Sequence, residues 1–263
     1  MINFFLKHRF LIYQLSKREI LSRYKGSILG VLWSLLTPIV MLLIFTFVFG
    51  SVFQAKWPGR ESLSQIDFSL SLFMGLTVFW FFAEILSRAP TVFSSTPNFI
   101  KKVVFPLEVL PVSYLLAASF QLVIHMAILF FALILFDYQF SWKILSVIPL
   151  LIAMMPLSLG LLLILGSLGV YLKDLGAVVN LLVTGMMFLS PIFYPVSAVP
   201  QSMEWIFYIN PLTVIIENMR GILMFQENFD WLYWSVYFIC SMTLLYIGYL
   251  IFKILRKGFS DVM

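Results

Sequence analysis

The stretch Val31–Phe53, VLWSLLTPIVMLLIFTFVFGSVF, decides the fold because it contains no charged residue. A helix that crosses a bilayer needs about 20 mostly apolar residues, so this stretch predicts a membrane span. The whole chain has the same character: 62% of its 263 residues are apolar and 11% are charged, against about 25% charged residues in soluble domains. A soluble fold needs more polar residues to cover its surface. The composition therefore excludes a cytosolic enzyme, a nucleic-acid binder and a disordered chain.

Further apolar runs follow Val31–Phe53, and together they predict an all-α integral membrane protein with six spans. The other five runs are Phe68–Leu86, Val112–Phe136, Ile144–Leu172, Ala177–Pro191 and Trp231–Phe252. The run Ala177–Pro191 has about 15 residues, and a helix of that length covers ~22 Å of a hydrocarbon core of ~30 Å. We expect this fifth span either to be extended by its flanks or to end inside the membrane, where other helices cover its carbonyls.

The placement of charge predicts the orientation of these spans. The chain has 17 Lys and Arg against 12 Asp and Glu, a net charge of +5. Six spans put both termini on one side, and thirteen basic residues fall there: Lys7, Arg9, Lys17, Arg18, Arg23, Lys25, Arg88, Lys101, Lys102, Lys173, Lys253, Arg256 and Lys257. Only Lys56, Arg60, Lys143 and Arg220 fall on the other side. Since basic residues collect on the cytoplasmic side, we expect cytoplasmic termini.

Segments outside the spans complete a single membrane domain over residues 1–263. Residues 1–30 are basic and favour an amphipathic helix at the cytoplasmic interface, ahead of spans one to five within 31–195. The outer segment 196–230 contains apolar stretches too short to span, which predict re-entrant helices between spans five and six. The sixth span, 231–252, is followed by a cytoplasmic tail, 253–263. The sequence contains no repeat and no evident cleavable signal peptide.

Several kinds of chemistry have no sequence support. The chain lacks the GxxxxGK[ST] phosphate-binding motif, so we expect no ATP site on it. It has two histidines, His8 and His125, and one cysteine, Cys240. A zinc site and a disulfide framework are therefore not expected, and we predict no metal or cofactor on this chain.

Polar residues within the spans invite specific interpretations. Glu84 stands four residues before Arg88, and this spacing predicts an ion pair on one helix. His125 stands four residues after Gln121, and we expect it to form hydrogen bonds between helices. Gly26 and Gly30 form a GxxxG motif, which we interpret as a break between the interfacial helix and the first span rather than as a packing site.

The cytoplasmic loop between spans two and three contains Pro97–Glu108, PNFIKKVVFPLE. A helix-start signal is followed by two lysines among apolar residues and then by a proline. Apolar anchors with charged neighbours suit docking to a cytoplasmic partner. A helix lying on lipid headgroups is an equally good interpretation from the loop alone.

Two motifs carry a resemblance to a known family. At the start of the first span stands Arg23-Tyr24-Lys25-Gly26-Ser27-Ile28-Leu29-Gly30-Val31-Leu32-Trp33, followed by Pro38. In the outer segment stands Ser190-Pro191-Ile192-Phe193-Tyr194-Pro195, then Pro200, Asn210-Pro211-Leu212-Thr213 and Arg220. Together they resemble the permease subunits of ABC-2 type polysaccharide exporters, which carry O-antigen or teichoic acid. The resemblance covers nearly the whole chain.

The resemblance implies partners and a substrate. It implies a homodimer with the translocation path near the subunit interface, and two separate ATPase subunits that hold ATP and Mg. The implied substrate is a polysaccharide on an undecaprenyl diphosphate carrier, exported across the bacterial inner membrane. The chain itself would not be an enzyme.

The resemblance also implies roles for two segments. The loop between spans two and three would supply the coupling helix that contacts the ATPase; its candidate residues are Asn98, Phe99, Lys101, Lys102, Phe105, Pro106 and Leu107. The outer helices, within Ser197–Phe229, would cover the periplasmic exit as a gate. The candidate gate residues are Pro191, Pro195, Asn210, Pro211, Glu217 and Arg220.

Two further sets of residues suit such a substrate. Basic residues near the inner leaflet attract a lipid diphosphate; they are Arg9, Lys17, Arg18, Arg23 and Lys25. A sugar chain needs a path that is neither charged nor lipid-like, and aromatic rings offer apolar faces with a polar rim. Aromatic residues make up 17% of the chain, and the candidates are Trp33, Phe79, Trp80, Phe188, Phe193 and Tyr194. An aromatic belt at the membrane interface is the alternative role.

Other functions remain open from the sequence. A capsule, teichoic-acid, small-lipid or drug exporter of the same type is one alternative. An integral-membrane enzyme acting on a polyprenyl diphosphate is another. That enzyme would need clustered acids on the cytoplasmic side, and Glu19, Glu108 and Asp174 are scattered in sequence.

Overall fold

The structure, a computed structural model, describes residues 2–54, 57, 64–95, 105–139 and 141–262. Within these ranges every regular element is a helix. We number the α-helices in chain order: α1 Ile2–Ser22, α2 Trp33–Phe45, α3 Gln65–Arg88, α4 Val109–Leu135, α5 Val147–Tyr171, α6 Leu175–Phe188, α7 Glu204–Ile209, α8 Pro211–Phe225, α9 Trp231–Leu255 and α10 Phe259–Val262.

Five helical stretches in the described part of the chain are long and apolar enough to cross a membrane: Gly30–Val52, Gln65–Thr91, Val109–Leu135, Trp142–Tyr171 and Trp231–Gly258. They coincide with five of the six predicted spans. The remaining predicted span is represented by α6, which has 14 residues and is too short to cross alone.

Proline shapes the first span. Pro38 lies inside α2 and has no N–H, so the carbonyl of Ser34, four residues earlier, loses its helical partner. At the far end the helix widens into a π-helical turn over Thr46–Val52. Most of α2 is exposed within this single chain, in contrast to the central helix α3, which is buried along most of its length.

Glycine permits the closest contact between helices. Helices α5 and α9 form the most extensive helix pair. A Cβ added to Gly160 would lie 2.9 Å from the backbone of Leu244, and one added to Gly248 would lie 2.6 Å from the carbonyl oxygen of Gly160. Both positions therefore need glycine, because the two backbones touch there.

The connection between α1 and α2 is a break, as the sequence analysis predicted. Gly26 has φ +84° and Gly30 has φ +52°, both in the left-handed region that glycine tolerates. A Cβ at either position would meet nothing within 4 Å. The GxxxG motif thus serves the chain's change of direction, and α1 folds back to pack against α4.

A hydrophobic cluster separate from the main core of the bundle lies at the end of the bundle next to α1. Its centre is a group of fully buried rings: Phe93, Phe252 and Phe259, with centroids 5.3 Å apart for the Phe93–Phe252 and Phe93–Phe259 pairs. Arg256, after α9, donates to Glu108 at the start of α4 over 2.5 Å. Aromatic packing and this ion pair hold the C-terminal segment against α4.

Candidate functional site

The loop after α6 is held by the side chain of Asn210. Its Nδ2 donates to the carbonyl oxygen of Leu189 over 2.9 Å and to Ser190 Oγ over 2.8 Å. Its Oδ1 accepts from the backbone N–H of Leu212 over 2.9 Å, which caps the start of α8. One buried amide therefore joins the end of α6 to the start of α8.

Arg220 binds the same loop from the other side and is only 1% exposed. Its Nη2 donates to the carbonyl oxygens of Ser71 over 3.2 Å, Pro191 over 3.0 Å and Ile192 over 3.4 Å. Its Nη1 donates to Glu217 over 3.1 Å. Burial lowers the pKa of Arg220 to about 10, and the neighbouring Glu217 carboxylate opposes the shift. The guanidinium is charged at neutral pH and also lies 4.2 Å from the ring centroid of Trp57.

These contacts show how the short helix of the predicted fifth span ends. Helix α6 is not extended by its flanks; it ends at Phe188, and side chains from other elements bind the carbonyls that follow. Carbonyls covered by other elements are what the second of the two expected arrangements requires. Pro191 and Pro195 are buried beside this network, and Pro211 occupies the first position of α8, where a missing N–H costs nothing.

A second polar cluster joins the turn after α1 to the middle of the bundle. Tyr24 donates its hydroxyl to Gln121 Oε1 over 3.2 Å, and Gln121 Nε2 donates to the Ser34 carbonyl oxygen over 3.1 Å. This carbonyl is the one that Pro38 leaves without a partner. Gln121 Nε2 also lies 3.2 Å from His125 Nε2. The contact between His125 and Gln121 lies within α4, and the bond between helices is the one that Gln121 donates to Ser34 of α2. The hydrogen bond between helices that we expected of His125 is not found among the described residues, where its Nδ1 has no partner.

The expected ion pair between Glu84 and Arg88 is wrong. Glu84 binds Arg23, which arrives from the turn after α1, whereas Arg88 is exposed at the end of α3. Glu84 pairs with Arg23 and not with Arg88 because Arg23 is half-buried, and solvent screens a half-buried ion pair less than an exposed one. Arg23 is consequently neutralised by a carboxylate.

The family model described as ABC-2 type transporter matches residues 11–224. The chain belongs to this family. Its match includes both the Tyr24–Pro38 region and the Asn210–Arg220 network.

The O-antigen relatives of this ABC-2 chain match almost its whole length. An O-antigen export system permease protein, RfbA of Klebsiella pneumoniae, is 26% identical over 254 residues, 96% of this chain and 95% of the relative. RfbA of Myxococcus xanthus is 24% identical over 97% of this chain and 96% of the relative. The polysialic acid transport protein KpsM of Escherichia coli is 25% identical over 79% of this chain and 78% of the relative.

Four of the five basic residues that were candidates for a lipid diphosphate line two adjacent recesses of this ABC-2 chain. Arg9 and Lys17 border a groove of about 880 Å³ between α1 and α4, lined mainly by apolar residues such as Leu116 and Phe120. Lys17, Arg18 and Lys25 line a neighbouring polar cleft of about 730 Å³. Arg23 is in neither recess, because it binds Glu84. Lys17 borders both.

The predicted coupling segment is only partly visible in the described ranges. Asn98, Phe99, Lys101 and Lys102 lie outside the described residues. Phe105 and Leu107 are half-buried and pack against the cluster around Phe93 and Phe252, and Pro106 lies between them. The apolarity of these two residues is explained by packing within the chain, whereas the sequence had suggested either docking to a partner or contact with lipid headgroups.

The aromatic candidates form two separate groups. Phe188 stacks on Phe193 with centroids 6.1 Å apart, and Tyr194 donates its hydroxyl to the Phe188 carbonyl oxygen over 2.6 Å. Trp33 and Trp80 instead line a recess beside Gln121. Phe79 belongs to neither group: it is 6% exposed and packs inside the core, so it lines no surface of the described chain.

Sequence reasoning missed Phe49, which is central to the first aromatic group. Its ring lies 6.2 Å from Phe193, 5.9 Å from Phe68 and 6.3 Å from Phe45, measured between centroids. Phe49 sits in the π-helical turn, and the wider turn alters which side chains share a face. The spacing of Phe45, Phe49 and Phe53 was the available signal.

Proposed function

We propose that this chain is the permease subunit of an ATP-driven transporter that exports undecaprenyl diphosphate-linked polysaccharide across the bacterial inner membrane. The observation that carries the proposal is the similarity over nearly the full length to O-antigen export permeases. Similarity to the polysialic acid transport protein covers less of the chain, which favours an O-antigen-like substrate over a capsule-like one.

In this proposal the chain crosses the membrane six times, with both termini in the cytoplasm. Helix α6 is the fifth crossing, and the buried loop held by Asn210 and Arg220 completes it. Helices α7 and α8 then form a gate at the periplasmic side. The charge bias of thirteen basic residues against four supports this orientation.

The chain acts as a homodimer with two ATPase subunits, which bind ATP and Mg. The large exposed apolar surface of α2 suits burial against a second copy and against lipid. The segment Asn98–Leu107 is the coupling helix. The packing of Phe105 and Leu107 against the Phe93 cluster would anchor its end, so that a push from the ATPase reaches the bundle.

The two recesses beside α1 suit a lipid diphosphate. The apolar groove accepts the polyprenyl chain, and the basic cleft accepts the diphosphate. Lys17 borders both recesses, so a single carrier molecule can occupy them together. Beyond the bundle centre, the rings of Phe49, Phe188 and Phe193 provide apolar faces for the sugar chain near the gate.

Deletion of the gene tests the function directly. We expect the surface polysaccharide to disappear and polyprenyl-linked polysaccharide to accumulate inside the cell. Purification of the chain from its own cells should recover a complex with two copies of the chain and two of an ATPase subunit, measured by native mass spectrometry. Surface polysaccharide at the wild-type level after deletion would contradict the proposal. Turnover of a polyprenyl-linked sugar by the pure chain with Mg²⁺ would favour the enzyme alternative.

Substitution of the cleft lysines tests the lipid-diphosphate site. The double variant Lys17→Gln/Lys25→Gln should weaken binding of polyprenyl diphosphate in nanodiscs by about thirtyfold at low salt, because each basic residue near a lipid surface contributes ~1 kcal/mol. The difference should shrink at high salt. The matched control Lys253→Gln/Lys257→Gln removes the same charge from exposed positions outside the cleft. Equal weakening by both double variants would refute a specific site.

A further inference from the structure

A third recess, of about 340 Å³, lies among the first half of α2, the middle of α4 and the later part of α3. Its lining includes Tyr24, Trp33, Trp80, Gln121 and His125. Gln121 is the thirteenth residue of the 27-residue α4, so the recess is near the middle of a membrane-spanning helix. An ionisable group at such a depth is costly, so His125 raises the hypothesis of a functional site.

The hydrogen bonds of Gln121 determine where the proton of His125 lies. Tyr24 donates to Oε1 of the amide, and Nε2 donates to the Ser34 carbonyl oxygen, so the orientation of the amide is fixed. The second N–H of Nε2 then points to His125 Nε2, which must accept. In a neutral imidazole the proton is consequently on Nδ1.

This Nδ1–H has no acceptor within the described residues. A buried donor without a partner is unfavourable and is seldom retained without a reason. The imidazole ring itself is held in place by Trp80, whose ring centroid lies 5.3 Å away. His125 lines the recess, so a buried donor without a partner belongs to its wall, and a neutral or an anionic acceptor would satisfy it.

The charge of the recess distinguishes between these acceptors. Arg23 is the cation in its lining, and the Glu84 carboxylate neutralises it. A diphosphate would need several cations, and the neighbouring cleft, where Lys17, Arg18 and Lys25 outnumber Glu19, already provides them. Two tryptophan rings, a phenol, an amide and an imidazole without net charge match the surface of a sugar ring: apolar C–H faces and hydroxyls that both donate and accept. The volume is at the lower end of the range of about 300–1,000 Å³ for ligand pockets.

We propose that this recess is a binding site for one neutral sugar ring, and that His125 and Gln121 are the residues that select it. The inference rests on the proposed export function and deepens it: the carrier diphosphate binds the basic cleft, and a sugar near it enters the recess. Lys25 of the cleft and Tyr24 of the recess are consecutive residues, so the two sites are neighbours.

The test is saturation-transfer difference NMR on the full chain in zwitterionic nanodiscs. The probes are the methyl glycosides of glucose, galactose, mannose, rhamnose and N-acetylglucosamine. At least one should give a signal that falls about fivefold in His125→Phe and in Gln121→Leu, because each variant removes a neutral hydrogen-bonding group. The matched control Ser119→Ala should leave it unchanged, since Ser119 is on α4 and faces Met155 of α5. Inorganic pyrophosphate should not displace the glycoside.

Two milder variants keep the proposal testable if His125→Phe does not fold. Tyr24→Phe removes one hydroxyl, and Trp33→Ala changes a half-exposed ring; both should weaken the signal even if His125→Phe does not fold. No protein-dependent signal from any glycoside would overturn the proposal, as would displacement by pyrophosphate or equal signals from wild type and all variants. Export is measured separately in cells. Normal export by a His125→Phe chain that binds no glycoside would remove this site and leave the export function intact.

Discussion

Replacement of Arg220 by methionine is expected to destabilise the chain by about 3 kcal/mol or more, the largest effect of any single polar substitution. Methionine fills similar space but leaves the carbonyl oxygens of Ser71, Pro191 and Ile192 without their donor. Each unsatisfied buried acceptor costs ~1–3 kcal/mol. The loop after α6 would lose its attachment to α3, and we expect export to fail with it.

Equilibrium unfolding in mixed detergent micelles measures this change. Arg256→Met is the matched control, since Arg256 also pairs with a glutamate, Glu108, but its side chain is 41% exposed where that of Arg220 is 1% exposed. Exposed pairs contribute ~0.2–1 kcal/mol, so the control should lose little stability. Arg220→Lys should destabilise the chain nearly as much as Arg220→Met. A planar guanidinium can donate to carbonyls on two elements at once, and a single ammonium cannot reproduce that geometry. Equal losses at positions 220 and 256 would contradict this account.

The second large effect is expected from Gly169→Ala in α5. A Cβ at this position would overlap the carbonyl oxygen of Pro90, which belongs to the turn after α3. Neither partner is a flexible side chain, so α5 and this turn must separate. Overpacking of this kind costs ~1–3 kcal/mol or more, and here it would also open the cluster around Phe93.

The control for Gly169→Ala is a glycine substitution that should raise the stability of the chain. Gly185 also lies in a helix, α6, but a Cβ there meets nothing within 4 Å. Gly185→Ala should therefore stabilise the chain by ~0.5 kcal/mol through helix propensity. Thermal unfolding in detergent, followed by size-exclusion chromatography, should move the two midpoints in opposite directions. A lower midpoint for both variants would mean that alanine is harmful here for a reason other than contact.

Much of the fold was predictable because a membrane constrains it strongly. Apolar length located the long spans to within a few residues, and glycine and charge located the break after α1. The pairing of Gln121 with His125 followed from helical spacing alone. These features depend on residues that are close in sequence.

The rest depended on contacts between distant residues. Helical spacing favoured Arg88 as the partner of Glu84, yet Arg23 reaches it through the turn that Gly26 permits. The polarity of Gln121 has its cause in Pro38 of another helix. Phe79 is aromatic like Trp80, and only the packing of α3 shows that it faces the core. Periodicity gives no information on which face of a nearly uniform apolar helix is buried.

The backbone contact between Gly160 and Gly248 has a mechanical consequence. Where two helices touch without side chains between them, no rotamer change can let one slide past the other. Helices α5 and α9 are thus expected to move together as one rigid unit. We therefore expect widening of the protein at α2 and α6, which are largely exposed in the single chain. A small molecule bound there should block this movement without competing with the polysaccharide.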